Sequence, residues 1–469
     1  MTESTPAQGK HHVVIIGSGF GGLFAAKEFA GRTDVKVTLV AKTDHHLFQP
    51  LLYQAATGIL SVGEIAPSTR EILRDQENVR VMLALVEDVD VENQVVKARN
   101  HDTLLDIPYD SLIVAAGARQ SYFGNDHFEV FAPGLKTVDD ALELRSRIFH
   151  AFERAEISSD PEDIKRLLTF IVVGGGPTGV EMAGQIRELA SFTLDREFRK
   201  IDPKQARVIL VQGDHEVLHT FGNRLGGKAR HALEKLGIEV RLNSFVTDVN
   251  REGVEITDKN GEKEFIRSYC KVWAAGVAGM PIGAKVADAA GGEVDRAGRV
   301  IVEPTLNVAG HDNLYVVGDL MSVPNVPGVA QGAIQSGQYT ARRIKAILDG
   351  DTAKASIPFK YHDKGSMAII SKYKGIADIN GIKFSGYPAW AAWLIVHIMF
   401  LVGFKSRVST LLRWFITFLS DRRAERVTTN QLLVARLAMK HLGPKVSGPL
   451  LRGESLASVE EHSEEDDRD

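Results

Sequence analysis

Two glycine-rich segments constrain the fold of this chain more than any other feature, because each lies between an apolar β-branched run and a helix-forming stretch. The first is VVIIGSGFGG, with Gly17, Gly19 and Gly22. In such a pattern the first glycine makes a tight turn, the second lets the backbone approach a pyrophosphate, and the third lets helix and strand pack closely. The surrounding residues are predicted as a βαβ unit of a buried parallel sheet, with a strand at Val13–Ile16, a helix at Gly22–Ala30 and a strand at Val35–Val40.

The second segment, IVVGGGPTGVE, repeats the pattern about 157 residues later, with Gly174, Gly176 and Gly179 in the equivalent places. A strand, a helix and a strand are predicted around it at Phe170–Val173, Val180–Leu189 and Val208–Val211. The chain is therefore expected to hold two nucleotide-binding units, each with its own ligand.

Composition excludes several kinds of function. Lys and Arg number 56 against 60 Asp and Glu, so the net charge of −4 gives no basic field of the kind that nucleic-acid binding uses. A single cysteine, Cys270, excludes an intramolecular disulfide, a four-cysteine metal centre and a dithiol redox pair, and no metal site is predicted. Electron chemistry would have to come from an organic cofactor.

Three further glycine positions accompany the two fingerprints. Gly117 and Gly276 end similar runs, SLIVAAG and KVWAAG, and Gly318-Asp319 closes a last buried strand at Leu314–Val317. Together with the fingerprints they make residues 11–345 resemble the two-dinucleotide-binding-domain flavoproteins. That resemblance implies FAD on the first unit, NAD(P)H on the second, and a hydrogen bond from Asp319 to the flavin ribitol.

Each unit departs from the usual pattern at the position of the ribose-binding acidic residue. In the first unit Ala41 stands there, so FAD is expected to rely on Lys42 or on the backbone. In the second unit the strand end offers Gln212, which can hydrogen-bond a ribose hydroxyl. NADH is therefore expected in preference to NADPH.

Three stretches narrow the resemblance to the type II NADH:quinone oxidoreductases, the single-subunit respiratory NADH dehydrogenases that do not pump protons. They are HHLFQPLLYQ from His45, GGGPTGVEMAG containing Glu181, and AQGAIQ ending at Gln335. The resemblance implies hydride transfer from NADH to FAD and then two electrons to a quinone, menaquinone or ubiquinone. It also implies that Glu181 relays protons, although a helix-capping role is the simpler reading of a carboxylate there.

The third stretch carries the family's quinone-site pattern. Gln331 and Gln335 are four residues apart, so they share one face of a helix and are expected to offer amide donors to a quinone carbonyl. A surface amide pair is the alternative reading. His45 and His46 are weaker candidates, and Lys372, Tyr373 and Lys374 adjoin the expected cleft without an assigned role.

A late apolar segment, Pro388–Phe404, is followed by basic residues and more aromatics. Its 17 residues would make about 26 Å of helix, near the lower limit for crossing a hydrocarbon core of about 30 Å. Helices lying in the interface are therefore predicted, attached to the cytoplasmic face of the cell membrane. Trp390, Trp393 and Trp414 are expected at headgroup level, with Arg422, Arg423 and Arg426 on anionic lipid. A core or dimer-interface helix and a true span are the alternatives.

The predicted fold is α/β, with two Rossmann-like domains and a C-terminal amphipathic helical region. A discontinuous FAD domain (11–165 and 291–350) would contain the NADH domain (166–290), followed by a membrane-attachment region (351–452) and an acidic disordered tail (453–469). The alternatives are a soluble NAD(P)H-dependent flavin reductase of a small electron-carrier protein and a redox-sensing flavoprotein. The sequence leaves open whether the chain forms a homodimer.

Overall fold

The computed structural model describes residues 9–101 and 103–442, and there the chain folds as two compact units. Among these residues, the first unit comprises 9–47, 66–101, 103–120 and 277–364, and the second comprises 48–65, 121–276 and 365–442. The predicted acidic tail and residues 443–452 lie outside the described residues.

The strands of the described residues are, in chain order, β1 His11–Ile16, β2 Val35–Ala41, β3 Val79–Leu83, β4 Leu85–Asp90, β5 Val95–Asn100, β6 Thr103–Pro108, β7 Ser111–Val114, β8 Ala118–Gln120, β9 Thr169–Val173, β10 Arg207–Val211, β11 Ile238–Arg241, β12 Ser244–Val249, β13 Gly253–Asp258, β14 Lys263–Arg267, β15 Cys270–Trp273, β16 Val277–Gly279, β17 Val300–Ile301, β18 Leu314–Val316, β19 Met321–Ser322, β20 Ser366–Ser371, β21 Lys374–Ile379 and β22 Ile382–Gly386.

The α-helices are α1 Phe20–Glu28, α2 Leu52–Ala56, α3 Val62–Ile65, α4 Thr69–Leu73, α5 Val138–Ile157, α6 Pro161–Leu167, α7 Pro177–Glu188, α8 Asn223–Lys235, α9 Pro281–Ala289, α10 Ala330–Leu348, α11 Thr352–Ala355, α12 Tyr387–Phe400, α13 Phe404–Ser420 and α14 Asn430–Leu442. A π-helical turn at Leu189–Thr193 continues α7. Both predicted βαβ units are confirmed, with ends that differ by a few residues.

A five-stranded parallel sheet in the order β18-β7-β1-β2-β3 forms the centre of the first unit. Its strands are buried on both faces, which explains their continuous apolar sequences. Helices α1 and α10 pack against each other so closely that a Cβ on Gly337 would lie 2.2 Å from the carbonyl oxygen of Gly21. Residues 79–108 are divided between two sheets, because β3 joins this parallel sheet whereas β4, β5 and β6 pair antiparallel in a separate one.

A four-stranded parallel sheet in the order β11-β10-β9-β15 forms the centre of the second unit. Helix α7 packs on this sheet and also on the antiparallel sheet β20-β21-β22. A Cβ on Gly184 would lie 1.9 Å from the carbonyl oxygen of Ile370, so the glycine lets strand β20 approach the helix axis.

The division into units differs from the predicted domain boundaries. Residues 121–165 lie in the second unit rather than with the first fingerprint, because α5 packs on α2, α14 and β15 of that unit. Residues 277–290 lie in the first unit, where β16 pairs with β8. The segment from Gly365 onward belongs to the second unit, where α12 packs on β21 and α13 packs on α3.

The late apolar segment folds as two helices rather than one. Helix α12 ends at Phe400, and the chain turns through Leu401–Gly403, where Gly403 has a φ of +93°, before α13 begins. Across the part of the chain that the structure describes, no helix is both long and apolar enough to cross a membrane.

Candidate functional site

The first fingerprint forms an open anion-binding loop between β1 and α1. Gly17 has a φ of +104°, and a Cβ on it would lie 2.4 Å from the carbonyl oxygen of Ala115. A Cβ on Gly22 would lie 1.9 Å from the carbonyl oxygen of Gly17, whereas a Cβ on Gly19 would meet nothing within 4 Å. Gly19 caps α1 without a side chain, so the first N–H groups of the helix are open to a pyrophosphate.

The other predicted flavin residues follow neighbouring strands of the same parallel sheet. Strand pairing places Ile16, Val40, Val114 and Val316 in one row across it. Gly17, Ala41-Lys42, Gly117 and Asp319 therefore all follow the carboxyl edge of the sheet, where open α/β sheets bind their ligands. Asp319 lies in a 3-10 turn, Gly318–Leu320, whose first N–H, that of Gly318, donates a hydrogen bond to Ser336 Oγ at 3.0 Å.

His46 supports this loop. The sequence suggested it only as a weaker candidate for a role in the site. Its ring is fully buried, its Nδ1 lies 2.9 Å from the carbonyl oxygen of Ser18, and it packs edge-on against Phe20 at 5.0 Å. Burial lowers the pKa of His46 to about 4, so the ring is neutral and Nδ1 donates the hydrogen bond. His46 thus holds the fingerprint in place, which no local sequence signal indicated.

The second fingerprint has the same geometry between β9 and α7. Gly174 has a φ of +105°, and a Cβ on Gly179 would lie 1.8 Å from the carbonyl oxygen of Gly174. A Cβ on Gly176 would meet nothing within 4 Å, and this residue caps α7 without a side chain, with Pro177 as the first helical residue. The N-terminus of α7 is therefore open to a second pyrophosphate.

Gln212 and Gly276 follow strands β10 and β15 at the carboxyl edge of this sheet, where Val211 and Trp273 both pair with Val173. The Oε1 of Gln212 accepts a hydrogen bond from the N–H of Gly175 at 2.7 Å, and its Nε2 lies 3.4 Å from Asp214 Oδ2. The glutamine therefore supports the glycine loop itself. Gly276 has a φ of +72°, and a Cβ on it would lie 2.5 Å from the ring of Phe123.

Glu181 is buried in α7 and faces strand β20. Its Oε1 accepts a hydrogen bond from the N–H of Ile369 at 3.3 Å. Burial raises the pKa of Glu181 to about 8, and the Ile369 N–H offsets this only in part. The group is consequently a protonated carboxylic acid at neutral pH rather than the ionised helix cap of the simpler reading.

Gln331 and Gln335 share one face of α10, as their spacing predicts, but both amides bond to backbone. The Oε1 of Gln335 accepts from the N–H of His362 at 2.9 Å while its Nε2 donates to the carbonyl oxygen of the same residue at 2.9 Å. The Oε1 of Gln331 accepts from the N–H of Lys364 at 3.0 Å. The pair fastens residues 362–364 to α10.

A cavity of about 300 Å³ lies in the second unit between α2, α7, the β20–β21 hairpin and helices α12 and α13. Most of its wall area is apolar and comes from aromatic and aliphatic side chains, as is typical of sites for flat organic ligands, and polar and charged residues such as Glu188, Lys372 and Arg423 also line it. Its lining includes Tyr53, Gln54, Gln185, Glu188, Trp390 and Phe418. Lys372, Tyr373 and Lys374, which the sequence left without a role, also line it.

Sequence patterns indicate only a small part of this cavity. Tyr53 and Gln54 lie within the HHLFQPLLYQ stretch, but Glu188 and Phe418 belong to no recognised pattern. Gln54 Oε1 accepts from Trp414 Nε1 at 2.7 Å, and Gln54 Nε2 donates to the Tyr53 hydroxyl at 3.1 Å. These bonds fix α13 to α2 beside the cavity.

The three tryptophans expected at headgroup level are buried instead. Trp390, Trp393 and Trp414 are 7%, 1% and 2% exposed, because α12 and α13 turn their tryptophans inward, where Trp393 contacts both Trp414 and Tyr53 of α2. Phe404, Phe415 and Leu419 point outward from α13 and are 84%, 64% and 71% exposed. The apolar surface of this region is therefore built from phenylalanine and aliphatic residues.

Two of the three arginines expected on lipid also have protein partners. Arg423 is buried and donates to the carbonyl oxygens of Thr57 and Gln185 at 2.7 and 2.9 Å. Arg426 pairs with Glu197. A position next to an apolar segment in the sequence does not distinguish arginines that bond to other parts of the protein, such as these two, from arginines on the surface.

Comparisons with known proteins agree with the geometry. The family model described as pyridine nucleotide-disulphide oxidoreductase matches residues 11–337. The chain is 53% identical over 463 residues to type II NADH:quinone oxidoreductase NdhA of Mycobacterium tuberculosis, which covers 98% of both chains. It is 54% identical over 433 residues to type II NADH:quinone oxidoreductase Ndh of the same organism, covering 92% of this chain and 93% of that one.

Among solved structures, NDH2 of Plasmodium falciparum in complex with NADH has a TM-score of 0.80 at 22% identity, covering 87% of this chain and 98% of that one. This match shows that the two chains share a fold. The disulphide in the name of the matching family has no intramolecular counterpart here, because Cys270 is the only cysteine.

Proposed function

This chain belongs to the type II NADH:quinone oxidoreductases, and we propose that it reduces its quinone in the cavity beside α7, with Glu181 as a proton source. Members of the family are membrane-associated flavoenzymes. The reaction consumes NADH, one proton and a quinone, and gives NAD⁺ and the quinol without pumping protons. The soluble reductase and the redox sensor are not favoured.

FAD is the cofactor, and the residues at the carboxyl edge of the first sheet fit it. The open N-terminus of α1 would hold the pyrophosphate over Gly17 and Gly19, and Asp319 would bond the ribitol. Ala41, Lys42 and Gly117 would border the rest of the cofactor. When bound, FAD supplies the hydride acceptor and passes electrons on to the quinone.

NADH is the electron donor, and the second fingerprint provides a matching site. The N-terminus of α7 would hold its pyrophosphate, with Gly174, Gly176 and Gly179 giving the backbone the necessary close approach. Gln212 would shape the glycine loop, and Asp214 beside it would disfavour the extra phosphate of NADPH.

The cavity is the observation that carries the quinone assignment. Its aromatic lining suits a flat quinone ring, and the Tyr53 hydroxyl and Gln54 amide are polar groups at its wall. Glu181 lies on the same helix as the cavity-lining Gln185, one turn away. A protonated carboxyl there is a suitable source for the proton that quinol formation requires.

Gln331 and Gln335 are proposed to act as positioning residues. Their hydrogen bonds with residues 362–364 fix that segment to α10, which supports this positioning role over the expected hydrogen bond to a quinone carbonyl.

The outward faces of α12 and α13 are proposed as the membrane-binding surface, defined by Ile395, Met399, Phe404, Phe415 and Leu419. An exposed apolar patch of this kind fits helices that lie in the lipid interface. Attachment would be monotopic and on the cytoplasmic face, where NADH is available, and the cavity between the same helices would receive quinone from the bilayer.

The quinone assignment can be tested with Phe418→Ala, which enlarges the cavity, and with Phe265→Ala as a control on the exposed face of β14. With a soluble quinone analogue, Phe418→Ala should raise the quinone KM several-fold while the reduction of the flavin by NADH keeps its rate. The control should behave as wild type. An unchanged quinone KM in Phe418→Ala would refute the assignment of this cavity.

A further inference from the structure

We propose that Glu188 delivers to the quinone the proton that its reduction consumes, and that Glu181, on the same face of α7, can resupply Glu188 with a proton. The inference rests on the proposed quinone cavity. It gives a role to a residue that neither the sequence patterns nor the relatives' names single out.

Glu188 is the last residue of α7, and its side chain lines the cavity. Its two oxygens have different partners: Oε1 accepts from the N–H of Lys372 at 2.5 Å, and Oε2 accepts from Gln185 Nε2 at 2.7 Å. These bonds hold the carboxyl at the cavity wall, so it has a fixed orientation toward whatever occupies the cavity.

The helix geometry at this point is unusual. The π-helical turn Leu189–Thr193 begins directly after Glu188, and Phe192 and Thr193 also line the cavity. In a π turn the backbone hydrogen bonds join residues that are five positions apart. Residues i and i+5 therefore come toward one face, which allows Glu188 and Thr193 to line the same space. Such turns are rare and occur frequently at functional sites.

Polar groups lie between Glu188 and Glu181. The two carboxyls are seven residues apart on one face of α7, about 10 Å along the axis, which is too far for direct proton transfer. Gln185 lies between them on the same face, and the buried hydroxyl of Tyr53 also interacts with both carboxyls electrostatically. This hydroxyl accepts a hydrogen bond from Gln54 and belongs to a residue that lines the cavity, so it offers an exchangeable O–H at the wall.

The charges around Glu188 allow it to change protonation state. Burial raises the pKa of its carboxyl, while the N–H of Lys372, the Arg423 guanidinium and the Lys372 ammonium each lower it in part. Lys372 also forms a salt bridge with Asp421 at 2.8 Å. The further titratable groups near Glu188 are Tyr53 on the neighbouring α2 and Glu181 on α7. Arg423 therefore stabilises the carboxylate that remains once its proton has left.

The step balances as follows. The quinone gains a hydride equivalent that originates from NADH and one proton from Glu188, which gives the quinol. The Glu188 carboxylate then regains a proton from water that reaches the cavity, either directly or by way of Glu181. One proton is consumed for each NADH oxidised, as the overall reaction requires.

The test uses the full-length holoenzyme with Glu188→Gln, which keeps an acceptor for the Lys372 N–H but carries no exchangeable acid. Stopped-flow should show normal reduction of the flavin by NADH, and oxidation of the reduced enzyme by a soluble quinone analogue slowed about tenfold or more. The pH profile of that oxidation should lose one ionisation. Infrared difference spectra across the same pH range should lose the carbonyl band of one protonated carboxylic acid.

Glu188→Asp keeps the acid and should restore part of the rate together with the ionisation, and it serves as the second variant if the glutamine form does not fold. Glu143→Gln removes another buried carboxyl, one paired with Arg147 on α5, and should leave the pH profile unchanged. Slower oxidation with an unchanged pH profile and an unchanged carboxyl band would overturn the proposal, because it would indicate a merely structural role.

The two proposals fail differently. If Phe418→Ala leaves the quinone KM unchanged, the cavity is not the quinone site and the role of Glu188 falls with it. If Phe418→Ala raises that KM but neither Glu188 variant alters the pH profile, the cavity stands and only the proton delivery by Glu188 is wrong.

Discussion

Replacing Glu181 by glutamine should make the protein more stable at neutral and alkaline pH, although it removes a residue proposed to take part in the reaction. The glutamine amide is neutral at every pH, so it resembles the protonated form of the carboxyl. Its Oε1 can still accept the hydrogen bond from the Ile369 N–H. The substitution therefore removes an ionisable group with little change in packing.

The magnitude follows from the pKa of Glu181, which burial raises from the ordinary 4.5 to about 8. Between these values the unfolded chain has lost the proton and the folded protein has kept it, so the wild-type free energy of unfolding falls by about 1.4 kcal/mol per pH unit. The loss reaches about 3 kcal/mol at pH 7 and about 4 kcal/mol at pH 8, and it levels off at about 5 kcal/mol above pH 9. Below pH 4.5 both states are protonated and the carboxyl costs nothing.

Thermal unfolding of the holoenzyme, followed by flavin fluorescence from pH 4.5 to 8.5, measures this effect. Glu181→Gln should melt a few degrees above wild type at pH 8, and the difference should disappear toward pH 4.5. Glu143→Gln is the matched control with the opposite sign, since it removes the negative charge that pairs with the buried Arg147 at 2.7 Å and should lower the melting temperature at neutral pH.

The reasoning would be refuted if Glu181→Gln melted at or below wild type throughout this range. That result would mean that the carboxyl is ionised or hydrated in the folded protein, and it would also remove the protonated acid on which its proposed role depends.

Three further predictions concern other parts of the molecule. Gly179→Ala places a Cβ 1.8 Å from the carbonyl oxygen of Gly174, so flavin reduction by NADH should slow at least tenfold while FAD content stays normal, as stopped-flow and absorbance would show. Phe415→Lys replaces a 64% exposed apolar side chain and should weaken vesicle binding about tenfold or more in a sedimentation assay, whereas Phe265→Lys should not. Gln335→Ala removes both hydrogen bonds to His362 and should cost about 1–2 kcal/mol of stability with little change in quinone KM; a raised KM at unchanged melting temperature would restore a direct quinone contact.

The sequence by itself determined the two dinucleotide-binding units, because their signals are local. Gly17, Gly22, Gly174 and Gly179 meet backbone at distances that no side chain tolerates, and that requirement is written in a few consecutive residues. Strand pairing then brings Ala41, Gly117 and Asp319 to the edge where Gly17 lies, as expected for any parallel sheet with these strands.

Only the tertiary structure decided which side of each C-terminal helix faces the protein. Hydropathy identifies Trp414 and Phe415 alike as apolar, but Trp414 bonds Gln54, 360 residues earlier in the chain, while Phe415 remains exposed. Arg423 likewise reads as a surface cation until the carbonyl oxygens of Thr57 and Gln185 are placed around it. Glu188 acquires its surroundings in the same way, from Lys372 and Arg423, because burial and partners depend on contacts between distant segments that no local pattern encodes.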